Sequence, residues 1–465
     1  MLTHLRIKNF KAWKDTGAIR LAPLTVIFGA NSAGKSSLGH LLLGLKQTAL
    51  LTDRRRALHL GDANSLIDLG TFADCLHGHD LKAKLEFALG WRLPQPGEFR
   101  DPLHPRKPYV GNRIQLESVL RADSRGLPEL ERFRYELQDQ QGDRQLFVEH
   151  GLREGGKAYL DVEPMRLLQK QGRKWPIEPP EKFYRFSDVT LARYQNADSL
   201  SEFALETERL LAGLTYLGPL REHPKRTYSW AGDSVPDVGA RGEFAIAALL
   251  AAAQDKRMLN RGYRKKRERF DEFIASWLRD LGVIHSFTVK PVGSGRKEYE
   301  VLVRANESAP EVKLTDVGFG VSQVLPALVQ AFYAPANSTV WMEQPEIHLH
   351  PQVQAELADA FISAVQAYEG GQPRNVQLIV ESHSEHFLMR LQRRIAEEVI
   401  RPDEVAVYFA NRGDKSLDLE SLRLDSYGDI ENWPDNFFGD EMAEIAARTQ
   451  AAMSRRIRER KANGG

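Results

Sequence analysis

The chain has 465 residues, 42% hydrophobic and 27% charged, enough to bury a large core and to build more than one lobe. Its 64 Lys and Arg nearly balance 63 Asp and Glu, which excludes a global field that draws in nucleic acid or an anionic membrane. The single cysteine, Cys75, excludes an internal disulfide and a zinc cage built from cysteines.

From the N-terminus, alternating polar and apolar residues predict strands within 4–28, from Leu5-Arg6-Ile7 to Leu24-Thr25-Val26-Ile27-Phe28. The opening MLTHLRIKNFKAW lacks the uninterrupted apolar run of a secretory leader, so a cytoplasmic protein is expected. The last strand runs into a turn, Gly29-Ala30-Asn31-Ser32-Ala33-Gly34-Lys35-Ser36, which fits G-x-x-x-x-G-K-[ST]. A strand before it and leucines at helical spacing from Ser37 to Leu51 after it supply the context of a phosphate-binding loop. Glycines at 29 and 34 let the backbone wrap close to phosphates, with amides and a helix N-terminus facing the negative charge. Lys35 is then expected to reach the β- and γ-phosphates of ATP, and the Ser36 hydroxyl to serve magnesium.

Residues 80–165 alternate in the strand manner between Pro, Gly and Asp clusters. Helices are expected over 198–214 and 241–282, the second interrupted by Arg264-Lys265-Lys266-Arg267. The longest apolar run, Phe244 to Ala253, is about half of what a bilayer crossing needs, so no membrane part is expected. Strands follow at 284–291 and 298–304. A second α/β block then reads helix 322–333, strand 338–343, helix 352–367, strand 376–381 and helix 385–398. Short strands near 405–410 and 418–423 and a charged helix at about 439–461 close the chain.

Three stretches of this block carry chemistry. STVWMEQPEIHLHP, 338–351, ends a buried strand at Glu343, at the C-terminal edge of a parallel sheet where α/β folds bind ligands, and a carboxylate there suits magnesium. Gln344, Pro345 and Glu346 follow it. LTDVGFGVSQVLPALVQ, 314–330, places Gly318 and Gly320 before a helix, another loop with free amides. NVQLIVESHSEHFLMRL, 375–391, puts His383 just past a strand, within reach of a γ-phosphate held by the first loop. His348, His350, His383 and His386 also have zinc-like spacings, but they sit inside these same stretches. The basic runs Arg54–Arg56, Arg264–Arg267 and Arg455–Lys461 read singly as solvated surface and together as a DNA-facing one. Phe10 and Trp13 read as core of the first strands in preference to an adenine stack.

The order of P-loop, long insertion, glycine loop, acidic strand end and post-strand histidine resembles the ABC/SMC-type ATPases. DVGFGVSQVLP, EQPEIHLHP and ESHSEHFLMRLQRRI resemble more closely the AAA-family proteins grouped with the overcoming-lysogenisation-defect (OLD) ATPases, which include ATPase subunits of the anti-phage systems PARIS and Septu. YLGPLREHP, 216–224, and NWPDNFFGDE, 432–441, resemble a subgroup ending in a small domain of unknown function. The resemblance is weakest over 90–200.

It implies an α/β, ABC-type split nucleotide-binding domain with a P-loop sheet, an antiparallel β lobe and a helical insertion. The divisions expected are 1–60 for the N-terminal half, 61–310 for the β lobe and insertion, 311–412 for the C-terminal half, and 413–465 for a small C-terminal domain and charged tail. ATP would lie on Gly29, Ala30, Asn31, Ser32, Ala33, Gly34, Lys35, Ser36 and Ser37, with magnesium on Ser36 and Glu343. Gly318, Phe319, Gly320, Val321, Ser322 and Gln323 would form a signature loop that caps the γ-phosphate held by another copy, and His383 matches the switch histidine. A homodimer or an assembly of dimers follows, because one copy has an incomplete site.

Two positions depart from the pattern. Gly318 stands where the signature serine belongs, and Gln344 where the general-base glutamate belongs. An amide cannot take the proton of an attacking water, though it can orient that water. Hydrolysis is therefore expected to be slow, by a factor of about a hundred to ten thousand, unless Glu346 or His383 substitutes. The resemblance implies an ATP-gated sensor of a separate effector, a nuclease or toxin, in anti-phage defence, with DNA left open as a partner and no nuclease in this chain. An SMC-type repair or recombination ATPase is the alternative; it would favour sustained heptads, which 50–320 does not show.

Overall fold

A computed structural model describes residues 1–104, 106–171, 175–412 and 417–434, together with 448, 450, 451 and 453. The P-loop lies in a six-stranded sheet ordered Leu214–Leu217, Thr339–Glu343, Gln377–Glu381, Leu24–Gly29, Val405–Arg412 and Leu417–Leu422. Every neighbouring pair is parallel except the last. The strand before the P-loop is thus inserted between two strands from the far end of the sequence, which makes the sheet a joint product of both chain halves.

The parallel strands are largely apolar because both faces are covered, whereas the edge strand Leu417–Leu422 mixes leucines with Asp418, Glu420 and Ser421. Leu24, Val26 and Phe28 share one core with Val340, Met342, Leu378 and Val380. Helices Ala245–Gln254, Phe270–Asp280, Phe319–Tyr333, Pro351–Gln366 and Glu385–Ala396 supply buried residues to that core. The intervening residues Ile27, Trp341, Ile379, Ala406 and Tyr408 enter a second core, which includes the P-loop helix Lys35–Leu50. Two-residue periodicity alone divides each strand between the two layers.

The second core also includes residues of an eight-stranded antiparallel sheet, ordered Trp13–Asp15, Leu2–Phe10, Leu85–Phe99, Tyr109–Ala122, Pro128–Gln138, Arg144–Leu152 and Ala158–Glu163, with Ile19–Arg20 also pairing Leu2–Phe10. The first strands of the chain belong to this sheet, and the backbone crosses to the P-loop sheet at Leu24. This is the α/β arrangement expected, with a P-loop sheet, an antiparallel lobe and helices.

The region 241–282 differs from the expectation of one interrupted helix. Two helices, Ala245–Gln254 and Phe270–Asp280, are separated by strands Met258–Asn260 and Glu268–Arg269, which pair with each other. The first helix stops where Lys256 takes a left-handed φ of 52°, and Arg264–Arg267 form an exposed loop. Most of the apolar run 244–253 is core: Ala245, Ile246, Ala248 and Leu249 are buried, while Phe244 is exposed. Among the described residues no helix is long and apolar enough to cross a membrane. The charged helix expected at about 439–461 falls largely outside the described residues, and the run Arg455–Lys461 entirely so.

Gly29 ends the P-loop strand at φ 145°, and a Cβ there would sit 2.3 Å from the carbonyl oxygen of Ala410 on the adjacent strand. Gly29→Ala is therefore expected to destabilise the chain by about 1–3 kcal/mol, from backbone strain and the displaced strand. A thermal melt checks this, and an unchanged midpoint would contradict it.

Candidate functional site

The P-loop begins the helix Lys35–Leu50 on Gly34, whose φ of 72° turns the chain into the helix. Lys35 is buried, and its Nζ donates to the carbonyls of Gly29 and Ala30, each at 2.8 Å. Ala30, Asn31 and Ser32 are exposed above it. Beneath the loop the Trp13 indole donates to the Gly34 carbonyl at 2.9 Å. Trp13 and Phe10 are fully buried, so both are core residues.

Two carboxylates end adjacent strands. Glu343 and Glu381 are register partners in the parallel pair, 5% and 1% exposed. Ser36 Oγ donates to Glu381 Oε2 at 2.8 Å, and the buried Trp341 Nε1 donates to Glu381 Oε1 at 2.8 Å. Glu343 Oε1 instead accepts from the Tyr216 hydroxyl at 2.7 Å, and its backbone oxygen from Arg221 Nη2 at 3.3 Å. The P-loop serine, expected beside Glu343, is hydrogen-bonded to Glu381.

Burial first, and then the charge of Glu343, raise the Glu381 carboxyl well above the usual carboxylate range, against its bonds to Ser36 and Trp341. Burial lowers Lys35, and the charges of Glu381, Glu346 and Glu343 oppose that. His40 Nε2 lies 3.9 Å from Glu343 Oε1. Burial, with Lys11 nearby, pushes His40 down to about 4, so at neutral pH this approach is not an ion pair.

Past Glu343 the chain reverses at Gln344, whose φ is 44° and whose N–H donates to the Glu381 carbonyl at 2.8 Å. The reversal buries Glu346, 5% exposed, where Oε1 accepts the His383 backbone N–H at 2.7 Å. Ser384 caps the helix Glu385–Ala396 by accepting from the Phe387 N–H, and its hydroxyl donates to Gln354 at 2.6 Å, which fixes the turn carrying His383. Glu346 Oε2, His383 Nε2 and the Nε and Nη1 of Arg221 are buried without a hydrogen bond of ordinary length. Buried polar atoms rarely stay unpaired, so such a group of donors and acceptors is suited to a polar ligand. Burial raises Glu346, while the His383 N–H, the Ser382 hydroxyl and Arg221 favour its charged form. Arg221 is pushed down to about 10 by burial and stays charged at neutral pH. His383 is lowered by burial and then by Lys35.

The glycine loop caps the helix Phe319–Tyr333 at Gly318. Gly318 is exposed, Val321 is buried, and Ser322 and Gln323 are only 7% and 5% exposed. The exposed part of this loop is therefore its glycine entrance. His348, His350 and His386 are exposed, and His350 Nδ1 accepts the Gln352 N–H as a helix cap. Among the described residues no group of three or more His, Cys, Asp or Glu is placed to hold a metal. In the first basic run Arg54 pairs with Asp188 at 2.6 Å.

Lys35, Ser36, Glu343, Gln344, Glu346 and His383 are thus tied into one region by hydrogen bonds and strand register. Sequence reasoning missed Glu381, Tyr216 and Arg221. Glu381 carries the same signal as Glu343, an acid closing an apolar strand, and Tyr216 and Arg221 sit in the YLGPLREHP stretch, which had no role attached.

Residues 249–388 match the family described as AAA ATPase domain, and residues 400–447 the one described as protein of unknown function (DUF3696). The first span contains the glycine loop, Glu343 and His383, and supports an ATPase of AAA type. No curated protein matches the chain. Solved structures similar to it include an SMC head bound to the C-winged helix domain of ScpA, at 11% identity over 91% of this chain and 98% of that one, TM-score 0.41. The SMC head domain from Thermotoga maritima is similar at 10% identity over 90% and 98%, TM-score 0.39. An SMC head domain with an extended coiled coil, derived from Pyrococcus furiosus, is similar at 11% identity over 91% and 96%, TM-score 0.38.

Proposed function

We propose that this chain is a slow, magnesium-dependent ATPase that closes on ATP as a homodimer and gates a separate effector, a nuclease or toxin, in cytoplasmic anti-phage defence. The observation that carries the ATPase reading is the gathering of Lys35 and Ser36 with the buried acids Glu343, Glu346 and Glu381 at one edge of a parallel sheet. Lys35 would exchange the Gly29 and Ala30 carbonyls for phosphate oxygens. Ser36 and Glu343 offer hydroxyl and carboxylate oxygens to magnesium, a hard cation that favours them. Gln344 would orient the attacking water, Glu346 take its proton, and His383 meet the γ-phosphate. In this reading the glycine entrance at Gly318–Gly320 covers the nucleotide of a second copy.

The regulatory part rests on the OLD-like motifs and on an amide at 344 that leaves the base to Glu346, whose burial keeps more of it protonated and so favours a long-lived ATP state over rapid turnover. Its test is to express this chain with its neighbouring reading frames in a phage-sensitive host. Phage plating is expected to fall by orders of magnitude and to recover in Lys35→Ala. Sensitivity to DNA damage without any change in plating would instead favour the SMC-type repair reading.

A further inference from the structure

The P-loop hydroxyl meets a carboxylate that the motif pattern does not assign. Ser36 Oγ and Glu381 Oε2 are 2.8 Å apart, and the other Glu381 oxygen is held by the indole of Trp341, itself 1% exposed. Glu381 therefore cannot swing away without breaking two hydrogen bonds, the one to Trp341 buried and the one to Ser36 partly so. Its register partner across the strand pair is Glu343. Two carboxylates side by side at this depth call for positive charge, because each disfavours ionisation of the other. Lys35 and Arg221 are the cations nearby, but Lys35 Nζ is committed to two backbone carbonyls and in the ATPase reading turns to phosphate, and Arg221 donates to the backbone oxygen of Glu343. A glutamine in place of Glu381 would accept from the indole with its carbonyl oxygen and donate its amide N–H to the Ser36 hydroxyl, so hydrogen bonding alone does not require an acid here.

We propose that Glu381 is a ligand-shell carboxylate of the nucleotide's divalent cation, sharing that ion with Ser36 and Glu343. The inference rests on the ATPase reading and adds a consequence to it. Without the cation, Glu343 and the ionised part of Glu381 face a polyanionic triphosphate and repel it. With the cation between them, the same charges hold the nucleotide in place. Glu381 thus makes ATP binding conditional on the metal.

The test compares a fluorescent ATP analogue titrated into wild type and Glu381→Gln, each in magnesium and in EDTA, with manganese binding followed by electron paramagnetic resonance. Wild type is expected to bind far more weakly in EDTA. In Glu381→Gln the ratio of the two dissociation constants should shrink by about tenfold or more, chiefly through weaker binding in magnesium and looser manganese. An unchanged ratio in a variant with a wild-type melt would overturn the inference and leave the ATPase reading intact. Failure of wild type to bind the analogue in either buffer would overturn the ATPase reading itself. Should Glu381→Gln not fold, Glu381→Asp is read instead: it keeps the charge but draws it back by one methylene. It should retain the weak metal-free binding and lose manganese affinity, and wild-type manganese affinity would count against the proposal.

Discussion

Glu346→Gln is expected to lower ATP turnover by about a hundred- to ten-thousand-fold while leaving magnesium-ATP binding in place. Gln344 occupies the usual place of the base and cannot accept a proton. The reversal at Gln344 brings Glu346 in behind it, with one oxygen fixed by the His383 N–H and the other without an ordinary hydrogen bond. Burial raises the Glu346 carboxyl above its usual range, which makes it a stronger base once ionised but leaves more of it protonated. Only the ionised form accepts the proton, so the wild-type rate should climb as pH rises through this titration and then level off. That rising limb should vanish in Glu346→Gln. Single-turnover phosphate release across pH measures both effects. A variant with full rate, or a Gln344→Ala variant with an equally large loss, would sink the assignment.

Lys35→Ala is expected to weaken ATP binding by about a hundredfold or more and to abolish any ATP-driven pairing of chains. Two charge-assisted hydrogen bonds to phosphate, each contributing about 1.5–3 kcal/mol, account for a loss of that size. The buried ammonium also offsets the charges of Glu381, Glu346 and Glu343, so its removal leaves an acidic pocket facing an anionic ligand. Lys35→Arg keeps the charge but replaces a point donor with a planar fork, and should recover little of the affinity. Calorimetry gives the affinities, and light scattering with and without ATP gives the mass. Pairing that is equal with and without nucleotide would show that ATP does not drive assembly.

The second α/β block was legible because buried strands and amphipathic helices alternate there with clear changes of period. Strand 339–343 and helix 351–366 fall within one residue of expectation. Helix Phe319–Tyr333 starts three residues before the expected 322, because Gly318 is its N-cap and Gly320 is taken into its first turn. A glycine so close to a helix start reads as loop from the sequence, although its cost there is small beside the packing of the apolar face that follows. The stretch 241–282 was misread because a left-handed lysine and a pair of two- and three-residue strands leave almost no periodic signal. Strand partners were not legible either: Leu2–Phe10 and Leu24–Gly29 both read as strands but lie in different sheets.

The P-loop, the acid at 343 and the histidine at 383 could be read from the sequence alone, because each depends on a few consecutive residues turning at the end of a strand. The contacts that gather them into a candidate site come from the tertiary structure. Ser36 meets Glu381 across 345 positions, Tyr216 meets Glu343 across 127, and His383 meets Glu346 across 37. Strand order decides which side chains share the sheet edge, and local periodicity carries burial and direction but not order.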